Sequence, residues 1–237
     1  LTSFGCIYRC TYCATPYMHP SIARRSHLSV VEEIRHWHGH GVKRFVIYDD
    51  NFLHEKDRYA KPLLREVARL SFDIDIYNPN AVNAALVDEE LAELFCASGF
   101  RELRIGLETT DPETQRSTGG KVNTKVFEKA LAVLGNAGFD MEKVSVYILA
   151  GLPFQKWETV KEAVDYLFGL GVRPYIAEYT PIPHTEMFEK YYRHARYPIT
   201  QDALYQNNVL FPFAWEGFTE KDLFDLKRYV REKRPPG

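Results

Sequence analysis

The sequence lacks any apolar run long enough to cross a bilayer, and it lacks an excess of charge of either sign. Its 30 basic and 32 acidic side chains leave a net charge of −2 over 237 residues. A nearly neutral chain has no general electrostatic attraction to nucleic acid or to anionic lipid. Without a long apolar run it also has no transmembrane helix. We therefore expect neither a nucleic-acid partner nor membrane association.

Cysteine is also scarce, and the start of the chain lacks both an initiator methionine and a signal peptide. The four cysteines, three of them clustered, are too few and too local for a disulfide framework, which favours a reducing, cytoplasmic location. We expect the chain to be a piece of a longer protein from which an upstream domain is missing.

Short β-type runs alternate with helical segments along the chain. The β-type runs cover residues 1–4, 45–48, 74–77, 103–107, 144–149 and 175–179, and helices are predicted near 30–38, 55–70, 88–97, 124–136, 158–167 and 220–232. Six strand–helix units predict parallel pairing through crossover helices. A closed barrel needs eight units, so we predict an α/β fold: a partial (β/α)6 TIM-like barrel of parallel strands with outer helices. The core domain is expected over residues 1–197, with a C-terminal helical extension, residues 198–237, packed on it.

Polar or glycine-bearing segments follow all six predicted strands. They are Cys6, Asp49–Asn51, Asn78–Asn80, Glu108–Thr110, Gly151–Pro153 and Thr180–His184. In parallel β/α folds the chemistry collects at the carboxyl ends of the strands. The sequence therefore predicts an active site at one mouth of the partial barrel.

Three cysteines, Cys6, Cys10 and Cys13, lie within eight residues in the spacing C-x3-C-x2-C. Iron–sulfur cubanes are normally held by four thiolates, so a trio leaves one iron open to another ligand. Two alternatives remain at this point. A structural zinc site could take His19 as its fourth ligand, and an electron-transfer cluster could be completed by Cys96. Cys96 is otherwise expected to be a small buried hydrophobe.

The cysteine spacing, with Tyr12 directly before the third cysteine, resembles the signature of the radical S-adenosylmethionine (radical SAM) superfamily. Ile105–Glu108 is similar to the fourth-strand Gly-x-Glu segment of that superfamily and Ile148–Pro153 to its fifth-strand segment. Tyr179–Thr185 resembles the sixth-strand Pro-x-Pro-Gly-Thr turn, with His184 in place of glycine. Together with Asp49–Phe52, the pattern is most similar to the branch whose members often carry an upstream cobalamin-binding domain. The resemblance covers roughly residues 1 to 190.

The resemblance implies a radical SAM core domain in which the three cysteines ligate a 4Fe–4S cluster and S-adenosylmethionine chelates the open iron. It also implies an external one-electron donor, such as flavodoxin or ferredoxin. A 5′-deoxyadenosyl radical would then abstract hydrogen from an unknown substrate. In the cobalamin-associated branch this chemistry is linked to methyl transfer or skeletal rearrangement on an unactivated carbon, with cobalamin carried by the missing upstream domain. The alternatives are methylthiolation or dehydrogenation without cobalamin, and a zinc or iron–sulfur binding module without turnover.

The resemblance also assigns candidate contacts. Residues expected at S-adenosylmethionine are Tyr12, Asn80, Glu108, Arg116 and the backbone from Ile148 to Gly151. Asp50, Tyr179 and His184 are expected on the substrate side. Thr118–Lys121 is similar to the end of a phosphate-binding loop, but Gln115 stands where that loop needs its first glycine. We therefore assign this segment no role.

Overall fold

The computed structural model describes residues 1–233, in which strands and helices alternate. The strands are β1 (Ser3–Phe4), β2 (Ala23–Arg24), β3 (Arg44–Val46), β4 (Asp75–Tyr77), β5 (Val82–Asn83), β6 (Leu103–Glu108), β7 (Val144–Ala150) and β8 (Arg173–Glu178). The helices are α1 (Thr15–Met18), α2 (His27–Gly39), α3 (Ala60–Ala68), α4 (Glu89–Ala97), α5 (Pro112–Ser117), α6 (Thr124–Asn136), α7 (Trp157–Gly169), α8 (Glu186–Tyr191) and α9 (Glu220–Lys233).

The strands pair in parallel, as the sequence predicts, except at the start of the chain. β5, β6, β7 and β8 form one parallel sheet in that order, and β3 pairs in parallel with β4. A parallel bridge between Ile76 and Phe100 continues the pairing from β4 toward the larger sheet. β1 pairs with β2 in the antiparallel sense. The α/β fold with a parallel, partly closed barrel is therefore confirmed.

Two features of the fold differ from the sequence prediction. The helix expected from residue 55 starts only at Ala60, because residues 51–59 form turns and Glu55 has a left-handed φ of 50°. Pro62 then falls in the first helical turn, where its missing N–H costs nothing. Strands β2 and β5 were not predicted, since two residues are too few to show an alternating pattern.

Two neighbouring carboxylates at the end of β3 hold β1 in place. The buried Asp49 accepts the backbone N–H of Thr2 at 2.6 Å and the hydroxyls of Thr2 and Ser3, the latter at 2.7 Å. The Oδ2 atom of Asp50 accepts the backbone N–H of Gly5 at 2.8 Å. These bonds position the residue that precedes Cys6. Asp50, which we expected on the substrate side, therefore has a clear structural task.

The segment after residue 197 packs against the barrel through apolar side chains. Leu223, Leu226 and Val230 of α9 belong to the main hydrophobic core. The ring of Phe211 covers Gly151, where an added Cβ would lie 2.3 Å from the ring. Residues 234–237 of the expected extension lie outside the described residues. None of the helices within 1–233 has the length and apolar character needed to span a membrane.

Candidate functional site

A cavity of about 300 Å³ lies at the carboxyl ends of the strands, where the sequence predicts the active site. All three clustered cysteines line it. The other lining residues are Tyr8, Tyr12, Thr15, Asp50, Pro79, Asn80, Ala81, Glu108, Lys121, Tyr147 and Ala177. The loop that carries the cysteines thus faces polar side chains from five other parts of the barrel.

The cysteine loop is held from two sides through the backbone of Thr11. Its N–H donates to the carbonyl oxygen of Thr118 at 3.2 Å, and its carbonyl oxygen accepts the N–H of Met187 at 2.9 Å. Within the loop, the N–H of Cys13 donates to the carbonyl oxygen of Cys10 at 3.0 Å and closes a turn. Because the loop is tied to segments that follow β6 and β8, the spacing of the thiols depends on the whole barrel.

Burial and a nearby positive charge have opposite effects on the pKa of the cysteine thiols. Burial raises the pKa of Cys6 and of Cys10, while the nearby ammonium of Lys121 acts to lower both. The side-chain amide of Asn51 also donates to the Cys6 sulfur, at 3.5 Å. Thiolates, not thiols, ligate metals, so Lys121 and Asn51 favour the form of the cysteines that can bind iron.

Glu108 and Lys121 form a buried ion pair next to the cysteines. Their Oε1 and Nζ atoms are 3.7 Å apart, and each side chain is only 19% exposed. Burial raises the pKa of Glu108, and Lys121 and a hydrogen bond with Tyr12 act against that rise. Burial also raises the pKa of Tyr12, with a further contribution from the Glu108 charge.

The surroundings of Gly106 show why β6 needs a glycine at this position. A Cβ at this position would lie 2.6 Å from Oε1 of Glu108 and 3.5 Å from Nζ of Lys121. The Glu108 backbone has a left-handed φ of 69°, and the register of β6 against β7 shifts between Gly106 and Glu108. The irregularity turns the Glu108 carboxylate back over Gly106 and into the cavity.

Lys121 is the site residue that the sequence analysis missed. The turn before it packs directly on the cysteine loop, since a Cβ at Gly119 would lie 3.1 Å from Cα of Cys10. Gly119 has a φ of +123°, which side chains rarely adopt. The signal was present as two glycines and a lysine shortly after the Glu108 strand. We compared that pattern only with a phosphate-binding loop.

The predicted S-adenosylmethionine contacts divide into two groups. Tyr12, Glu108 and Asn80 line the cavity, and the Asn80 side chain donates to the backbone carbonyl of Tyr48 at 2.9 Å. Arg116 lies exposed on α5 and does not line the cavity. Its predicted contact receives no support from this placement.

The fifth-strand segment is also placed differently from the expectation. Ile148 is 1% exposed within the core, and the Gly151 N–H donates to Oε1 of Gln155 at 2.9 Å. Neither residue lines the cavity. The close approach that Gly151 permits is used by the Phe211 ring. In this structure the Gly151 N–H is therefore not open to an adenine edge.

Two residues expected on the substrate side do not line the cavity either. Tyr179 is buried and stacks on Phe213 with 5.7 Å between ring centroids. His184 is exposed, has a left-handed φ of 67°, and stacks on Tyr17 with 4.4 Å between centroids. This conformation is the one that glycine favours, which explains why the resembling motif has glycine at the position where this chain has histidine.

The donor set suits a cluster with three protein ligands. Cys96, the remaining cysteine, is exposed and lies with Ile74 and Gly99 near the amino ends of the strands, away from the cavity. Within residues 1–233, no three His, Cys, Asp or Glu side chains lie close enough to share one metal ion. The His19 ring packs near Phe4, with 5.5 Å between the ring centroids.

Comparison with known proteins gives matches over most of the chain. The family profile described as the Radical SAM superfamily matches residues 1–167. The tryptophan 2-C-methyltransferase of Streptomyces laurentii is 29% identical in an alignment 203 residues long that covers 74% of this chain and 33% of the relative. The bacteriochlorophyllide d C-12(1)-methyltransferase of Chlorobaculum tepidum is 27% identical in an alignment 195 residues long that covers 80% of this chain and 41% of the relative.

A solved structure extends the likeness to the fold. The radical S-adenosylmethionine methyltransferase TsrM from Kitasatospora setae superimposes with a TM-score of 0.69 at 24% identity, over 80% of this chain and 37% of that one. The chain thus spans between a third and about two fifths of the length of the proteins it matches.

Proposed function

Because this chain belongs to the radical SAM superfamily, we propose that it is an enzyme core whose Cys6, Cys10 and Cys13 hold a 4Fe–4S cluster. The adjoining cavity would hold S-adenosylmethionine. When bound and reduced by an external one-electron donor, these groups supply a 5′-deoxyadenosyl radical for hydrogen abstraction. The observation that carries the proposal is the meeting of three thiols of one loop with a buried Glu108–Lys121 pair in one cavity.

The chain's own residues bind and orient the cofactors. Backbone hydrogen bonds at Thr11 fix the loop that presents the thiols. Lys121 offers a buried positive charge, which suits the carboxylate of S-adenosylmethionine. Glu108 offers acceptor oxygens for the ammonium or ribose hydroxyls of that molecule. Tyr12 lines the same cavity.

We extend the proposal to carbon methylation by the whole protein, with cobalamin supplied by a further domain. Two of the curated relatives are named as carbon or ring-substituent methyltransferases, at 29% and 27% identity. The branch-specific motifs of the sequence support the same assignment. The expected location is the cytoplasm, where a flavodoxin-like or ferredoxin-like donor is at hand and thiols stay reduced.

Anaerobic reconstitution tests the cofactor assignment. Cys10→Ala should lose the cluster, while Cys96→Ala should keep the iron and sulfide content of the wild-type chain. Reduced wild-type protein should cleave S-adenosylmethionine to methionine and 5′-deoxyadenosine, and Cys10→Ala should not. Equal iron loss in both variants, or a colourless wild-type protein that carries one zinc ion per chain, would contradict the proposal.

A further inference from the structure

The interior of the partial barrel is not filled in the way that a closed barrel is. Closed barrels pack their interior with bulky branched aliphatic side chains. On β6, β7 and β8, the aliphatic residues Ile105, Val146 and Ile176 join the core. Side chains alternate along a strand, so the residues between them face the interior. These interior residues are polar, aromatic or small, except Leu149 of β7, which belongs to a second apolar cluster.

The strand register arranges these interior residues in rows. The lowest row pairs Arg104 with Ser145 and Ser145 with Arg173. Two residues higher, Gly106 pairs with Tyr147, and Tyr147 with Tyr175. Rows separated by two residues are about 7 Å apart along the strands. The arginines thus form a floor below a row of tyrosines, and Tyr147 of that row lines the cofactor cavity.

The tyrosine row forms a fixed aromatic wall. The rings of Tyr147 and Tyr175 meet edge to face, with centroids 5.0 Å apart, and Tyr175 is 40% exposed. The Arg104 guanidinium lies 5.3 Å from the Tyr175 centroid and donates to the Tyr147 hydroxyl at 2.7 Å. Glu102 holds the other side of that guanidinium at 2.9 Å. The wall is therefore in place before any ligand arrives.

Arg173 adds a positive group that lacks a partner. Its Nε atom is buried and makes no hydrogen bond within residues 1–233. A buried donor without a partner carries a free-energy penalty, and native structures rarely leave one unexplained. An anionic ligand on the floor of the barrel would remove that penalty.

We propose that the interior of the barrel binds a substrate that carries an aromatic ring and an anionic group. The ring lies against Tyr147 and Tyr175, and the anionic group binds at Arg173 with Arg104 beside it. Ala177 lies two residues beyond Tyr175 on β8, one row or about 7 Å higher. A two-ring system whose anionic group is bound at Arg173 therefore has its far edge at the level of Ala177, which lines the cofactor cavity. The inference rests on the proposed radical function, since it names the class of substrate presented to that cavity.

Equilibrium dialysis of the full chain against 2-naphthoate and against its neutral analogue 2-naphthamide tests this assignment. Wild-type protein should bind the carboxylate at least about tenfold more tightly than the amide, because a buried cation strengthens the hydrogen bonds to an anion. Arg173→Met should abolish this preference and leave amide binding unchanged. Tyr175→Leu should weaken binding of both compounds.

Arg69→Met is the matched control, because Arg69 is an exposed arginine on the outer side of the barrel, paired with Glu66. It should change neither affinity. Equal affinity of the wild type for the two probes, binding of neither, or an unchanged preference in Arg173→Met would overturn the inference. The dialysis needs no reductant and no cleavage of S-adenosylmethionine. A negative dialysis result therefore contradicts the proposed substrate class alone, whereas a negative reconstitution result contradicts the proposed cofactors.

Discussion

At the scale of single residues, the absence of a Cβ atom at Gly106 decides the shape of the cofactor cavity. The Glu108 carboxylate occupies the space that a side chain at Gly106 would take. Sequence alone marked Gly106 and Glu108 as parts of one motif, through the family resemblance. It could not show that the two positions are coupled, because the coupling arises from the left-handed backbone at Glu108.

Gly106→Ala should weaken S-adenosylmethionine binding by about tenfold or more, since the new Cβ displaces the Glu108 carboxylate from Lys121. Equilibrium dialysis with reconstituted protein measures the affinity, and thermal unfolding checks that the fold persists. Gly135→Ala is the control, because Gly135 lies in α6 with open space around it. That change should leave the affinity intact and stabilise the fold by about 0.5–1 kcal/mol. If Gly106→Ala binds S-adenosylmethionine with wild-type affinity, Glu108 does not contribute to the binding site.

Lys121 shows why other site residues escaped sequence analysis. Its position depends on a turn that packs on the cysteine loop, and that contact joins segments about a hundred residues apart in sequence. Arg116 illustrates the converse case. It has suitable chemistry and lies near Glu108 in sequence, yet the direction of α5 leaves it exposed. Charge and sequence distance do not determine which side of a helix a residue occupies.

At the scale of elements, α3 and α4 are joined by ion pairs around Asp88. This residue caps α4, and its carboxylate lies 2.7 Å from Nζ of Lys56 and 2.8 Å from Nζ of Lys61. Burial opposes the charge of Asp88, but the hydrogen bonds from Lys56, Lys61 and the Leu91 N–H outweigh it. They lower the pKa of Asp88 to about 2.

Asp88→Asn should reduce the free energy of unfolding by about 1–2 kcal/mol at pH 7, because a lowered carboxyl pKa stabilises the folded state above the unfolded-state pKa. Asparagine still caps the helix, so the loss reports the ion pairs. The difference from wild type should shrink as the pH falls from about 4 to about 2, where Asp88 becomes protonated. Urea unfolding across this range measures it.

Asp140→Asn is the control for that series. Asp140 also accepts a capping N–H, but its ion pair with Lys143 is half exposed and should contribute little. A pH-independent difference between Asp88→Asn and wild type would show that the ion pairs do not stabilise the fold.

The elements were predicted best where two signals agree. Helix α6 was expected over 124–136 and is found at Thr124–Asn136, because Asn123 caps it and an apolar face follows. The strands β6 and β7 were also found, each slightly longer than expected. The short strands β2 and β5 carry no periodic signal of their own. They form only because neighbouring strands offer them partners.

At the scale of the whole molecule, the segment after residue 197 shares a core with the barrel. Phe211 is 2% exposed, covers Gly151 and packs edge to face on Phe218 at 5.1 Å. Trp215 donates its ring N–H to the backbone carbonyl of Gln155 at 2.7 Å. The sequence predicted a packed helical extension here. It could not show that the extension supports the Gly151 turn, because Phe211 and Gly151 are sixty residues apart.

We expect the barrel and this segment to unfold together, since their apolar side chains belong to one core. Urea unfolding followed by circular dichroism and by tryptophan fluorescence should give coincident transitions, with Trp215 reporting on the segment and Trp37 and Trp157 on the barrel. Phe211→Ala should lower the free energy of unfolding by about 3–4 kcal/mol through the cavity it creates. Phe224→Ala, which truncates a side chain that is 61% exposed on α9, should have little effect. Two separate transitions, with only the later part of the chain weakened by Phe211→Ala, would instead establish residues 198–237 as an independently folding unit.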